Sequence, residues 1–235
     1  LSVTNDVDNG DIDMGTLAVT GSIALATQGS GGNAAVTNAT ALDLGTSTVG
    51  GTLGVTASAG DITDSGQLTI TGAATFTAAA GQSIYLDNLD ASNNLTFGIH
   101  TFSGAVTFST PSGSLLNVTV RDSTAFDFGA ALTLAQVSSA GGNLIVTSGG
   151  NVTQTGGALT IPGTTTVKAA GNTVTLSNSS NNFTGAVSID ALTVDLEDTN
   201  AIILGASTVT GDYLVTAAGA VTQLADTALD ITGTT

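Results

Sequence analysis

Short runs of alternating apolar and polar residues recur along this 235-residue chain. QLTITG, ATFTAA, SIYLDN, NLTFG and GAVTFS are typical, and Gly, Asn, Asp or Ser separate them. A period of two belongs to a strand with one buried face. It places Leu68, Ile70, Ile84, Leu86, Val106 and Phe108 inward, and Thr69, Thr71, Tyr85 and Thr107 outward. No stretch sustains apolar residues at i, i+3, i+4 and i+7, so no amphipathic helix is expected.

The runs repeat at a larger scale. Residues 51–72 (GTLGVTASAGDITDSGQLTITG), 142–163 (GNLIVTSGGNVTQTGGALTIPG) and 211–233 (GDYLVTAAGAVTQLADTALDITG) share a strand, a glycine turn, an Ile/Val-Thr pair and a Leu-x-Ile strand. A fainter copy opens the chain, through Gly10-Asp11-Ile12. A second group pairs residues 75–88 with 165–178, and FSGAVTF (102–108) with FTGAVSI (183–189). Ile12, Ile62, Val152 and Val221 then read as equivalent positions, spaced by near-multiples of roughly 23 residues, one coil of a solenoid.

Stacked coils let each backbone group pair with the coil above or below. A hairpin sandwich fits less well, because Asn9-Gly10 is the only Asn-Gly pair. An outer-membrane barrel wants strands of about ten residues and aromatic girdles, and this chain has two Tyr and no Trp. The expected fold is therefore all-β: one right-handed parallel β-helix over residues 1–235, with about ten coils. Small Ala and Gly are expected to fill a narrow interior that aromatics would burst.

Composition sharpens this picture. Charged residues are only 9 % of the chain, against about 25 % in ordinary soluble domains. Eighteen acidic residues face Arg121 and Lys168, for a net charge of −16. That balance argues against nucleic acid, which requires basic side chains, and against anionic lipid. No cysteine is present, so neither disulfides nor thiol chemistry enter. No apolar run is long enough for a membrane-spanning helix. The chain opens on Leu1 without a signal-like segment, as a piece of a longer protein would.

The repeated GxLxVTxxGxITxxGxLTITG pattern and the segment AAGNTVTLSNSSNNFTGAVSI, on an acidic Gly/Ala/Thr/Asn-rich background, resemble the filamentous-haemagglutinin-like repeats of giant bacterial exoproteins. The resemblance covers essentially the whole chain. It implies a β-helical shaft, secreted and displayed at the cell surface or released from it, with adhesive, biofilm or contact roles and an unidentified host or cell-surface receptor. Uncapped strand motifs at both ends point to end-to-end self-association or continuation into neighbouring repeats.

Chemistry has few candidates. His100 is the sole histidine, so no histidine metal cluster forms within one chain. It reads as an ordinary strand or turn residue, and no catalytic residue is expected. A carbohydrate-active β-helix enzyme needs carboxylates with basic partners. Asp87 with Asp90, and Asp190 with Asp195, Glu197 and Asp198, have none nearby in sequence and read as turn caps. Asp6, Asp8, Asp11 and Asp13 place four carboxylates within eight residues. They are the calcium candidate, although the run misses known loop spacings. Thr69-x-Thr71, Thr75-x-Thr77 and residues 164–166 suggest flat hydroxyl arrays of an ice- or mineral-binding kind, or simply a polar strand face. Sequons begin at Asn94, Asn117 and Asn151. A structural or adhesive shaft is the expected function, with the enzyme and the mineral-binding surface as alternatives.

Overall fold

A computed structural model describes residues 1–87, 99–137 and 139–234. No described residue is helical. The strands pair in parallel, in a β-solenoid of about 10 turns. In the first half one side stacks Ile12–Leu17, Ala34–Asn38, Leu53–Ala57, Ala74–Ala78 and Val106–Ser109. Another side stacks Leu42–Leu44, Ile62–Asp64, Ile84–Leu86, Val118–Asp122 and Leu144–Ser148, and continues into Thr165–Leu176 and Val187–Asp198. Ser47–Val49, Leu68–Ile70 and Thr101–Phe102 make the third. The NLTFG run lies outside the described residues.

Strict alternation of buried and outward positions follows from the sequence pattern. Leu68, Ile70, Ile84, Leu86, Val106 and Phe108 are all buried, and Thr69, Thr71, Tyr85 and Thr107 are not. Repeat boundaries also hold: residues 51–72 and 142–163 each make one coil. The Gly72 N–H donates to Gly51 O at 2.9 Å and the Gly163 N–H to Gly142 O at 3.0 Å. Coils touch at these corners through bare backbone. A Cβ on Gly185 would lie 2.1 Å from Gly163 O, so no side chain fits there.

Two expectations change. Ile12, Ile62, Val152 and Val221 do not stack on one another. Ile12 shares a column with Ala34, Leu53 and Ala74, Ile62 with Ile84 and Val118, and Val152 with Phe126 and Val174. Val221 lies over Ile202 and is 50 % exposed. Coil length is the reason, because it varies from 17 residues (Val187 to Leu204) to 34 (Ile84 to Val118). Residues one sequence repeat apart therefore land on different sides.

The interior also holds aromatic residues. Phe76, Phe102, Phe108, Phe126, Phe128 and Phe183 are all buried. The first five form one contiguous group, with Phe76–Phe108 rings 6.1 Å apart, Phe108–Phe126 6.4 Å and Phe126–Phe128 5.0 Å. They sit where the cross-section is redrawn. The five-stranded side ends at Val106–Ser109, and a new side of Leu132–Thr133, Leu159–Ile161 and Asn182–Phe183 begins. Rings fill the wider space left by the change of sides, which small residues would leave void. In the same region Gln136–Val137 pairs antiparallel with Ala140–Gly141, and Gln136, Val137 and Ala140 are exposed.

Candidate functional site

Polar side chains inside a solenoid mark the places where the backbone ladder breaks. The Leu68 N–H donates to His100 Nδ1 at 3.0 Å, and His100 is fully buried. The ring proton therefore sits on Nε2, which faces Asp64 Oδ2 at 3.4 Å. Asp122, one coil on, is paired in register with His100. Its Oδ1 accepts from the N–H groups of Phe102 (3.3 Å) and Thr124 (3.0 Å) and from the Thr124 hydroxyl (2.9 Å). Its Oδ2 is buried and has no hydrogen-bond partner among the described residues. Burial pushes the Asp122 carboxyl above its ordinary value of 3.8, more strongly than those hydrogen bonds pull it down.

His100 belongs to a set. Asn38 accepts the Val19 N–H (2.9 Å), Ser47 that of Leu25 (3.0 Å), and Asn181 that of Leu159 (2.9 Å). Asp198 accepts the Phe183 N–H (2.9 Å) and Ser207 that of Ile189 (3.0 Å). Every one of these acceptors is buried. Each takes an amide from the preceding coil, at a position where no residue of its own coil pairs in register with that amide's residue. The sequence HTFSG at 100–104 aligns with NNFTG at 181–185, and LTITG at 68–72 with LTIPG at 159–163. His100 on Leu68 and Asn181 on Leu159 thus fill one role in two copies.

Outward corners use the opposite direction. Asp11 Oδ1 accepts from the Asn33 N–H (2.9 Å), and Asn33 Oδ1 from the Thr52 N–H (2.8 Å). Asn117 accepts from Asn143 (3.1 Å), Asn143 from Thr164 (2.8 Å), Asn151 from Thr173 (3.0 Å) and Asp212 from Thr234 (2.9 Å). These acceptors take an amide from the following coil. The backbone and side-chain hydrogen bonds from Thr234 hold the Asp212 carboxyl below its ordinary value.

The remaining candidates fall into place around these caps. Asp6, Asp8, Asp11 and Asp13 are all exposed, and Asp11 is engaged by Asn33. Among the described residues no three acidic or histidine side chains converge on a metal-sized space. Asp198 is an inner cap, Asp195 and Glu197 are half-buried, and Asp190 lies beside Lys168 across the ladder. Asp87 donates its N–H to Asp64 Oδ1 at 3.0 Å, while Asp90 lies outside the described residues. The sequon residues Asn117 and Asn151 serve as outer caps, and Asn94 lies outside the described residues. Thr37, Thr56, Thr77 and Ser109 line up as one hydroxyl column, but Ala35 and Gly54 interrupt the column beside it.

Fold and caps together define the class, a β-solenoid repeat protein whose internal polar groups serve its own backbone. The family described as repeats of unknown function (DUF5649) matches residues 31–109, 115–190 and 191–235, and the chain belongs to that family. No curated protein and no solved structure matches it. Asn38, Asp122 and Asp198 are each the eighth residue of their matched stretch, in Asn-Ala-Thr-Ala, Asp-Ser-Thr-Ala and Asp-Thr-Asn-Ala. Reading the sequence by apolar spacing missed these caps. Aligning polar residues across the copies reveals them.

Proposed function

We propose that this chain is a length of structural shaft, part of a secreted bacterial surface protein with an adhesive or contact role, in keeping with its filamentous-haemagglutinin-like texture. The core runs without a break from coil to coil, and the inner caps are engaged in holding corners. The observation that carries the reading is that unbroken core, stacked coil on parallel coil. At one end Val221 is half exposed, and Val215, Leu229 and Ile231 are only partly covered. At the other, Val3 and Met14 are only partly covered, although their partners Leu25 and Val36 are buried, and Leu17 is partly covered as well. End-to-end association buries these partly covered apolar side chains.

Sedimentation velocity and light scattering on the purified chain test this. A mass that rises with concentration, and falls back to that of one chain in the Val221→Lys/Ile231→Lys double variant, is expected. A folded wild-type chain that stays monomeric at every concentration, and is unaltered by the two lysines, sinks the proposal.

A further inference from the structure

We infer that two copies of this chain pair side by side and antiparallel, through one self-complementary column of side chains on the outer wall. The column lies on the side that holds both cations. In register, coil by coil, it reads Arg121, Thr147, Lys168, Asp190, Thr208, Asp230. In charge that is plus, neutral, plus, minus, neutral, minus. A two-fold axis along the strands, at the level between Lys168 and Asp190, reverses this order against itself. Lys168 of each copy then faces Asp190 of the other, Thr147 faces Thr208, and Arg121 faces Asp230. A contact of this kind is isologous and closes at two copies. Shape follows the same symmetry. Ile145, two residues before Thr147, is 38 % exposed. Ala206, two residues before Thr208, lines an open groove of about 530 Å³ with Ser188 and Ala228. The same axis sets Ile145 against Ala206, so the branched side chain enters the groove of the other copy. Lys168, Asp190, Thr208 and Asp230 are exposed, and Arg121 and Thr147 half-buried. The Arg121 Nε has no hydrogen-bond partner among the described residues. Asp87, next after the Leu86–Val120 pair, flanks Arg121, and Asp190 flanks Lys168. Within one copy each cation thus has a carboxylate on one side only, and the facing copy supplies a second.

Six coils at about 4.8 Å per coil make a strip about 25–30 Å long. One or two side chains wide, it stays below the roughly 1,200 Å² of a stable interface. Pairing is therefore transient in dilute solution, and covalent trapping detects it where mass does not. Each copy carries a net charge of −16, so the measurement belongs at about 0.15 M salt, where screening acts beyond about 8 Å. The chain has no cysteine, and single ones mark the contact without background. Thr147→Cys and Thr208→Cys are made separately, shown by circular dichroism to keep the wild-type β spectrum, and oxidised alone and mixed. Like residues stand three coil levels apart in the pair, beyond disulfide reach, so the mixture should form 147-to-208 dimers about tenfold faster than either variant couples to itself. Lys168→Glu in both partners sets carboxylate against carboxylate and should cut the mixed rate back to the self-coupling rate. Adding Asp190→Lys to both restores the opposed charges and should restore the rate. Self-coupling as fast as mixed coupling, or a mixed rate indifferent to both charge changes, overturns the pairing. End-to-end stacking does not bring residues 147 and 208 together, so its success or failure leaves this outcome unmoved.

Discussion

At the scale of single residues the same problem is solved with different side chains, and that interchange predicts which substitutions are tolerated. His100 and Asn181 each accept a leucine amide at corresponding corners. His100→Asn is therefore expected to keep the fold, whereas His100→Leu leaves the Leu68 N–H buried without an acceptor and costs about 2 kcal/mol. Thermal melts of the two variants separate these outcomes. Thr165 is the reverse case. It stands fully buried between Leu144 and Val187, and its hydroxyl has no partner among the described residues. Thr165→Val should raise stability by about 1 kcal/mol, read from denaturant midpoints, because it removes an unmet polar group. Asp122 carries a pH dependence. Its folded pKa lies above 3.8, so the folded chain holds this proton more tightly than the unfolded chain does. Stability from this residue is fully present below the unfolded value and is lost as pH rises through the raised folded one. Asn38 fills the same place in another copy, so Asp122→Asn should match or exceed the wild type at pH 7. The wild type should regain ground on it as pH falls toward 4. A difference between the two that stays flat with pH would show that Asp122 does not titrate in this way.

At the scale of strands and corners, close approach of the backbone decides more than strand propensity does. Gly185 sits over Gly163 with no room for a Cβ, and Gly72 sits over Gly51 in the same way. Gly185→Ala should cost about 2 kcal/mol or more, through a forced separation of two coils. Gly15, whose Cβ would meet nothing within 4 Å, is the control, and Gly15→Ala should be near neutral. Thermal melts of the pair test the contrast. Alternation of side chains made the strands legible, and the glycines at 51, 72, 142 and 163 made the coil boundaries legible, because both are local constraints. Stacking register was not legible. It depends on how many residues each corner takes up, and those numbers differ between Ala34–Leu53 and Ile84–Val118. The buried phenylalanines were hidden for a related reason: the change of sides near Val106–Ser109 and Leu132–Thr133 that makes room for them leaves no mark on the alternation. Nor were the inner caps legible, because Asn38, Asp122 and Asp198 occupy inward positions that the alternation assigns to apolar residues.

Over the whole molecule, charge works against the stack while hydrophobic burial and the backbone ladder hold it. A net charge of −16 is spread along a rod with only Arg121 and Lys168 to offset it. Both cations lie on the side formed by Val118–Asp122, Leu144–Ser148 and Thr165–Leu176, on one outward column, where Arg121 pairs with Thr147 and Thr147 with Lys168. Lys168 in turn neighbours Asp190. Asp6, Asp8, Asp11, Asp13, Asp212, Asp226 and Asp230 are exposed, and mutual repulsion among the carboxylates favours the expanded chain. Some of that cost is offset locally, since Asp11 and Asp212 accept amides from the next coil. The rest responds to salt. Raising NaCl from low ionic strength to about 0.15 M shortens the screening distance to about 8 Å, and the melting temperature should rise with it. Calcium provides the sharper comparison. Asp6, Asp8, Asp11 and Asp13 do not converge, and no three acidic groups among the described residues do. CaCl2 and NaCl at matched ionic strength should then raise the melting temperature by the same amount. A clear excess with calcium, abolished by Asp6→Asn/Asp8→Asn, would show that the first coil gathers a specific ion and that screening alone does not account for the response.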